Sequence, residues 1–166
     1  MLTKNFYSFM RCEFQNTAST FTATDGTTHK DIGFKTSDPP FIAMKTWAHK
    51  ASAYGLSFGT GTTPATASDY VLESILDDNK INVSTPSSIS FSRYDTYEEY
   101  TVTFGVTNKT GDAITISEAG LTIYNTNTPY PYVLVDRTVL DTPITIPAGQ
   151  SKQIAYTIRF NYGDTV

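Results

Sequence analysis

Large apolar side chains stand at every second position from Tyr100 to Val106 (Tyr100, Val102, Phe104, Val106), and Thr101, Thr103, Gly105 and Thr107 alternate with them. Successive side chains of an extended chain point to opposite faces, so this order fits a strand buried on one side and wet on the other. The same signature returns near the C-terminus, where Ile154, Tyr156, Ile158 and Phe160 alternate with Ala155, Thr157 and Arg159. Residues 113–117, 121–124 and 133–140 read as further short strands. Asn108-Lys109-Thr110-Gly111-Asp112 and Pro147-Ala148-Gly149-Gln150 read as turns. Strands joined by short polar turns pair antiparallel. Their spacing predicts a mainly β chain: an antiparallel β-sandwich, Ig-like or jelly-roll-like, with one short helix and an extended N-terminal segment.

Charged residues make up only 17% of the chain, against about 25% in an ordinary globular domain. Threonine, serine and asparagine fill the difference, and threonine is β-branched and stiff, which suits strands. Eleven tyrosines and ten phenylalanines point the same way. The net charge is −4 and the Lys and Arg residues are scattered, so the basic footprint of a nucleic-acid binder is missing. No run of apolar residues approaches the roughly 18 that a membrane helix needs. The segment 6–10 is too short and interrupted for a signal-peptide core, so synthesis in the cytoplasm without export is expected.

Residues 1–50 have weak periodicity and are expected to form an arm or accessory strands, with 51–166 as the sandwich domain. Thr24-Asp25-Gly26-Thr27 is a hairpin turn by composition. Gly55 to Pro64 is a glycine-rich loop with Leu56 and Phe58 as its apolar anchors. The single predicted helix covers 67–76. Thr66 or Ser68 would cap it, Asp69 would sit in its first turn, and Tyr70, Val71 and Ile75, with Leu72 as a further candidate, would form its buried side.

Chemistry-bearing motifs are absent at each place they might be sought. Gly59-Thr60-Gly61-Thr62-Thr63 lacks the lysine and following helix of a phosphate loop, so its glycines read as a flexible or closely packed loop. His29 and His49 lack partners at metal-binding or catalytic spacing. Cys12, the only cysteine, reads as a small buried apolar residue. Asp77-Asp78-Asn79 lacks the remainder of a calcium loop. Adjacent strand residues face opposite ways, so Glu98 and Glu99 cannot act on one substrate. Asn82-Val83-Ser84 and Asn108-Lys109-Thr110 match the glycosylation pattern, which matters only in a secreted eukaryotic protein. No catalytic residue, cofactor or metal is therefore expected.

Two constellations are structural candidates. Glu118 and Arg137 each lie within an apolar context, and adjacent strands could bring them together as a half-buried bidentate pair that fixes register. Phe6, Tyr7 and Phe9, together with Tyr130 and Tyr132 in the Pro-rich loop that follows Asn125, are candidate interface residues, because tyrosine offers large contact area at low entropic cost.

Four stretches carry a resemblance to a known family. They are Met1-Leu-Thr-Lys-Asn-Phe-Tyr7; Phe58-Gly-Thr-Gly-Thr-Thr-Pro-Ala-Thr-Ala-Ser-Asp-Tyr-Val-Leu-Glu73; Val106-Thr-Asn-Lys-Thr-Gly-Asp-Ala-Ile-Thr-Ile-Ser-Glu-Ala-Gly-Leu121; and Leu134-Val-Asp-Arg-Thr-Val-Leu-Asp-Thr-Pro-Ile-Thr-Ile-Pro-Ala-Gly149, continued through Phe160. As an ordered set they resemble the small virion structural proteins of tailed bacteriophages. The aromatic loop at 124–132 is longer than the connection usual there. The resemblance implies a non-enzymatic component of the tail, neck or head-associated parts, forming homo-oligomers and touching other virion proteins, with no direct contact to nucleic acid or membrane. It implies a virion location after synthesis in the bacterial host cytoplasm. The alternative is a receptor- or carbohydrate-binding module of a phage tail, in which Trp47 and Tyr132 would stack on sugar rings. A glycosidase would need paired carboxylates about 5–10 Å apart, and no pair in the sequence is marked for that.

Overall fold

The computed structural model describes residues 1–15, 19–32, 55–84, 87–124 and 132–161. The chain is mainly β with antiparallel sheets and a single helix among the described residues. Helix α1 spans Lys4–Gln15, and strands β1 (Ser19–Thr22) and β2 (Thr28–Ile32) form a hairpin. The Asp25-Gly26 turn closes it: Gly26 takes a positive φ of 86°, and Asp25 accepts from the Thr27 amide at 2.9 Å.

The two larger sheets follow from the alternating segments. In one, β7 (Ile114–Tyr124) lies between β3 (Gly55–Gly59) and β8 (Tyr132–Ile146). In the other, β6 (Tyr97–Asn108) pairs along its length with β9 (Ser151–Asn161). The opposite edge of β6 is shared by β4 (Ile81–Val83), against residues 106–108, and β5 (Ser88–Arg93), against residues 98–103. Val102, Phe104 and Val106 of β6 are buried with Ile154, Tyr156 and Ile158 of β9. They join Leu56, Phe58, Ala119, Leu121, Val133 and Val135 of the other sheet in one continuous core, which fits a β-sandwich-like fold. Tyr156 donates its buried hydroxyl to Asp136 on β8, a polar tie across that core. Burial and the neighbouring Asp136 carboxylate push the Tyr156 phenol well above its ordinary value, so it stays a donor.

Three local expectations change. Residues 67–76 are not helical but an irregular run of turns and bends, because their polar groups are drawn into tertiary contacts described below. The helix lies instead at the N-terminus. There Phe6, Phe9 and Met10 recur at helical spacing and pack on the core, and Asn5 is buried against Thr22 and Leu134. The segments 113–117 and 121–124 merge into one strand, β7, whose register with β8 shifts twice.

The described parts of residues 1–50 pack on this same chain. Residues 1–3 run beside β8, with Thr3 donating to the Val135 carbonyl and Arg137 to the Met1 carbonyl, both at 3.0 Å. Phe9 and Phe21 are buried in the common core.

Candidate functional site

The outer face of the β3–β7–β8 sheet is lined with small residues. Along β3 the core side carries Leu56 and Phe58, and the opposite side carries Gly55, Ser57 and Gly59, facing Thr122, Gly120 and Glu118 of β7. All five residues of β3 are buried, so both faces are covered. The cover on the outer face is the segment 60–76: Leu76 donates to the Phe58 carbonyl at 2.8 Å, and Leu72 is buried over Gly120. A Cβ added to Gly120 would stand 2.7 Å from Leu72, which explains the need for glycine there.

At the centre of this contact lies Glu118, with 0% of its surface exposed. Its Oε1 accepts from the backbone amides of Gly61 at 3.1 Å and Ser74 at 2.7 Å. Its Oε2 accepts from the Glu73 amide at 3.1 Å and from Arg137 Nε at 2.9 Å. Gly59 and Gly61 make room for the carboxylate, since an added Cβ would fall 2.4 Å and 2.6 Å from Oε1. The Gly-Thr-Gly run is therefore a seat for a carboxylate of its own chain.

Arg137 reaches the same face through the shift in strand register. Leu134 lies opposite Thr122, Asp136 opposite Leu121 and Arg137 opposite Gly120, with a bulge between the first two pairings. The extra residue reverses the parity of β8 and turns Arg137 diagonally toward Glu118. The pair is fully rather than half buried, and one guanidinium nitrogen rather than two meets Glu118. The other nitrogens go to Asp69 at 2.7 Å, the Thr63 carbonyl at 3.1 Å and, more loosely, Glu73 at 3.6 Å. Asp69 also accepts from the Thr66 amide and hydroxyl, and Glu73 from those of Thr63. Burial pushes the Asp69 carboxyl up, but the Thr66 bonds and Arg137 more than offset this and hold it below its ordinary value. The Thr63 amide and hydroxyl do the same for Glu73.

The cluster is a closed network of hydrogen bonds and ion pairs. Its carboxylates are spent on amides, hydroxyls and one guanidinium, and among the described residues no group of His, Cys, Asp and Glu could hold a metal ion. The apolar cavity beneath α1, lined by Phe6, Phe9, Met10 and Ile123 among others, measures about 30 Å³. That is room for one or two water-sized spheres. Asn108, in one of the glycosylation patterns, is buried, with its amide engaged by Asp112, Ile146 and Thr110. Glu98 and Glu99 bind Arg93 and Arg159 respectively, each at 2.6 Å. His29 stacks on Phe21.

Among the described residues Met1, Tyr7 and Tyr94 are exposed, as are Tyr70, Val71 and Ile75, which were expected on the buried side of a helix, and a further apolar surface lies at β5. All six of its residues are exposed, Ile89 by 51% and Phe91 by 47%. Ile89 lies opposite Val102, and Phe91 opposite Tyr100, on the core-facing side of their sheet. From Phe91 a row of rings continues inward, to Tyr100 at 4.9 Å, Phe160 at 6.4 Å and Phe6 on α1 at 6.2 Å, and ends at exposed Tyr7. The candidate interface residues therefore separate: Phe9 is core, Phe6 is half-buried in this row and Tyr7 is exposed. Tyr132 is half-buried at the start of β8, whereas Tyr130, Trp47, His49 and most of the aromatic loop fall outside the described residues. The sequence reading missed Ile89 and Phe91. Their signal was the alternation Ser88-Ile89-Ser90-Phe91-Ser92, a strand pattern whose polar half is serine throughout.

Replacing a buried ion pair with apolar residues is often neutral, but here Glu118 also serves three backbone amides. Glu118→Gln should cost about 1–3 kcal/mol, because one acceptor oxygen becomes an NH2 facing backbone amides or Arg137 Nε, while Arg137 keeps Asp69. The double variant Glu118→Leu/Arg137→Met should not recover stability, because the amides of Gly61, Glu73 and Ser74 lose their acceptor. Urea unfolding of both variants checks this. Asp69 and Glu73 have folded pKa values below the ordinary 3.8 and 4.5. Their stabilisation is thus present above those values and lost as pH falls through the lower folded ones. Urea midpoints should drop below about pH 4, and Asp69→Asn should flatten part of that decline.

No family model, no curated protein and no solved structure matches this chain.

Proposed function

We propose that the chain is a non-enzymatic structural component of a tailed-phage virion, acting in the tail, neck or head-associated parts through self-assembly and contacts with neighbouring virion proteins. The observation that carries this reading is β5, an exposed strand with Ile89 and Phe91 open to solvent and a row of rings behind it. Soluble chains usually guard such an edge with lysine, proline or a covering segment, and exposed contiguous apolar surface marks contact sites. The resemblance of four stretches to phage virion proteins supplies the setting. The low charge and hydroxyl-rich sheet faces favour it too: Thr101 meets Thr157, and Thr107 meets Ser151, each at 2.7 Å across β6 and β9. Such faces tolerate close repeated packing without like-charge repulsion.

The reading is tested by mass spectrometry of purified particles from a host producing this chain. The chain should be present at a copy number that is a small multiple of the particle's symmetry. Its absence from intact particles would end the proposal.

A further inference from the structure

We propose that β5 is a homodimer edge, pairing antiparallel with β5 of a second copy about an axis through Ser90. This deepens the assembly reading and rests on it. The β5–β6 hairpin is closed by Tyr94 donating to the Tyr97 carbonyl at 2.9 Å. Hydrogen-bonded pairs alternate along an antiparallel ladder. Ser88, Ser90 and Ser92 therefore spend their backbone groups on β6, and Ile89 and Phe91 turn theirs away from it. Among the described strands β5 pairs with β6 alone.

The occupant follows from register and charge. Opposed residues in a sheet must share a face. A two-fold axis at Ser90 sets Ile89 against the partner's Phe91, and Phe91 against the partner's Ile89, on the core-facing side. Each such pair exchanges both of its backbone hydrogen bonds. Ser88 meets the partner's Ser92 on the other face. Small hydroxyl side chains thus meet their like, and apolar side chains meet apolar ones. The strand's one charge, Arg93, is held by Glu98 at 2.6 Å at the turn end. Antiparallel pairing sends the two Arg93 side chains to opposite ends of the joint, whereas parallel pairing would set them side by side. A shift of the axis to Phe91 would set Ile89 against Arg93, so the Ser90 axis is favoured. In this register the two aromatic rows join into one band across both copies, which shields Phe91.

Directly opposed residues in a non-hydrogen-bonded pair lie about 4.5 Å apart at Cα, within the range that a disulfide bridges. With Cys12→Ser as background, Ser90→Cys should oxidise to a covalent dimer under native conditions and not in urea. Ser92→Cys should not link to itself but should link to Ser88→Cys when the two are mixed. Equal linking of both single variants, or a monomeric Ser90→Cys, would overturn the proposal. On the otherwise unaltered chain, Phe91→Lys should keep the far-ultraviolet dichroism of the fold and weaken dimerisation at least about tenfold by light scattering, the effect of about 1.4 kcal/mol. A folded Phe91→Lys that dimerises as well as the unaltered chain would also overturn it. Failure here with the chain still present in particles removes this edge and leaves the virion role. Cross-linking at Ser90 with the chain absent from particles does the reverse.

Discussion

A carboxylate sealed from water holds this fold's least regular part in place. Glu118 sits in the middle strand of its sheet with no exposed surface, and an isolated ionised acid there would be prohibitively costly. It is tolerated because it accepts from the amides of Gly61, Glu73 and Ser74 and from Arg137. Those donors come from both ends of the segment 60–76 and from the neighbouring strand. Satisfying one group thus helps fix the path of a stretch that has no helix and whose backbone pairing with β3 is a single antiparallel bridge, Gly59 with Ile75. The same contacts explain the small residues beneath it: Gly59, Gly61 and Gly120 are the positions where any side chain would strike the carboxylate, Glu73 or Leu72.

The division of labour between the two sheets follows. Around β3 the β3–β7–β8 sheet is covered on both faces, by the core on one side and by segment 60–76 on the other, and residues 1–3 line its β8 edge, whereas most of the far half of β8 is half-buried or exposed. The second sheet is left more open. Its β5 carries apolar side chains on the core-facing side but reaches beyond what is covered, so Ile89 and Phe91 are exposed. Buried charge holds segment 60–76 on one sheet, and the other sheet carries a strand with exposed apolar side chains. The assembly proposal rests on that contrast.

The period-two signal made the strands legible from the sequence, because alternation in β6 and β9 reports burial on one face and little else produces it. The turns at Asp25-Gly26 and Pro147–Gln150 were equally legible, since Gly26 and Gly149 adopt the positive φ their positions require. The Glu118–Arg137 contact was accessible as two charges in apolar company, but its full extent was not. Asp69 and Glu73 look like ordinary helix-start and helix-surface residues in a local window, but Glu73 is engaged by Thr63 and Glu118, and Asp69 by Thr66 and by Arg137, 68 residues further along the chain. The true helix was obscured for the opposite reason: Phe6, Phe9 and Met10 have helical spacing, but β-favouring aromatics and the lack of an acidic first turn hid it. Exposure at β5 depends on how far the facing sheet reaches, which no local pattern records.

The central claim is that Glu118 makes the irregular segment 60–76 as firmly held as the strands it covers. Native-state hydrogen exchange at individual amides measures this directly. If the account is right, the Gly61, Glu73 and Ser74 amides exchange as slowly as those in the middle of β6 and β7. Exchange at the rate of an open loop, with β6 and β7 still protected, would contradict it.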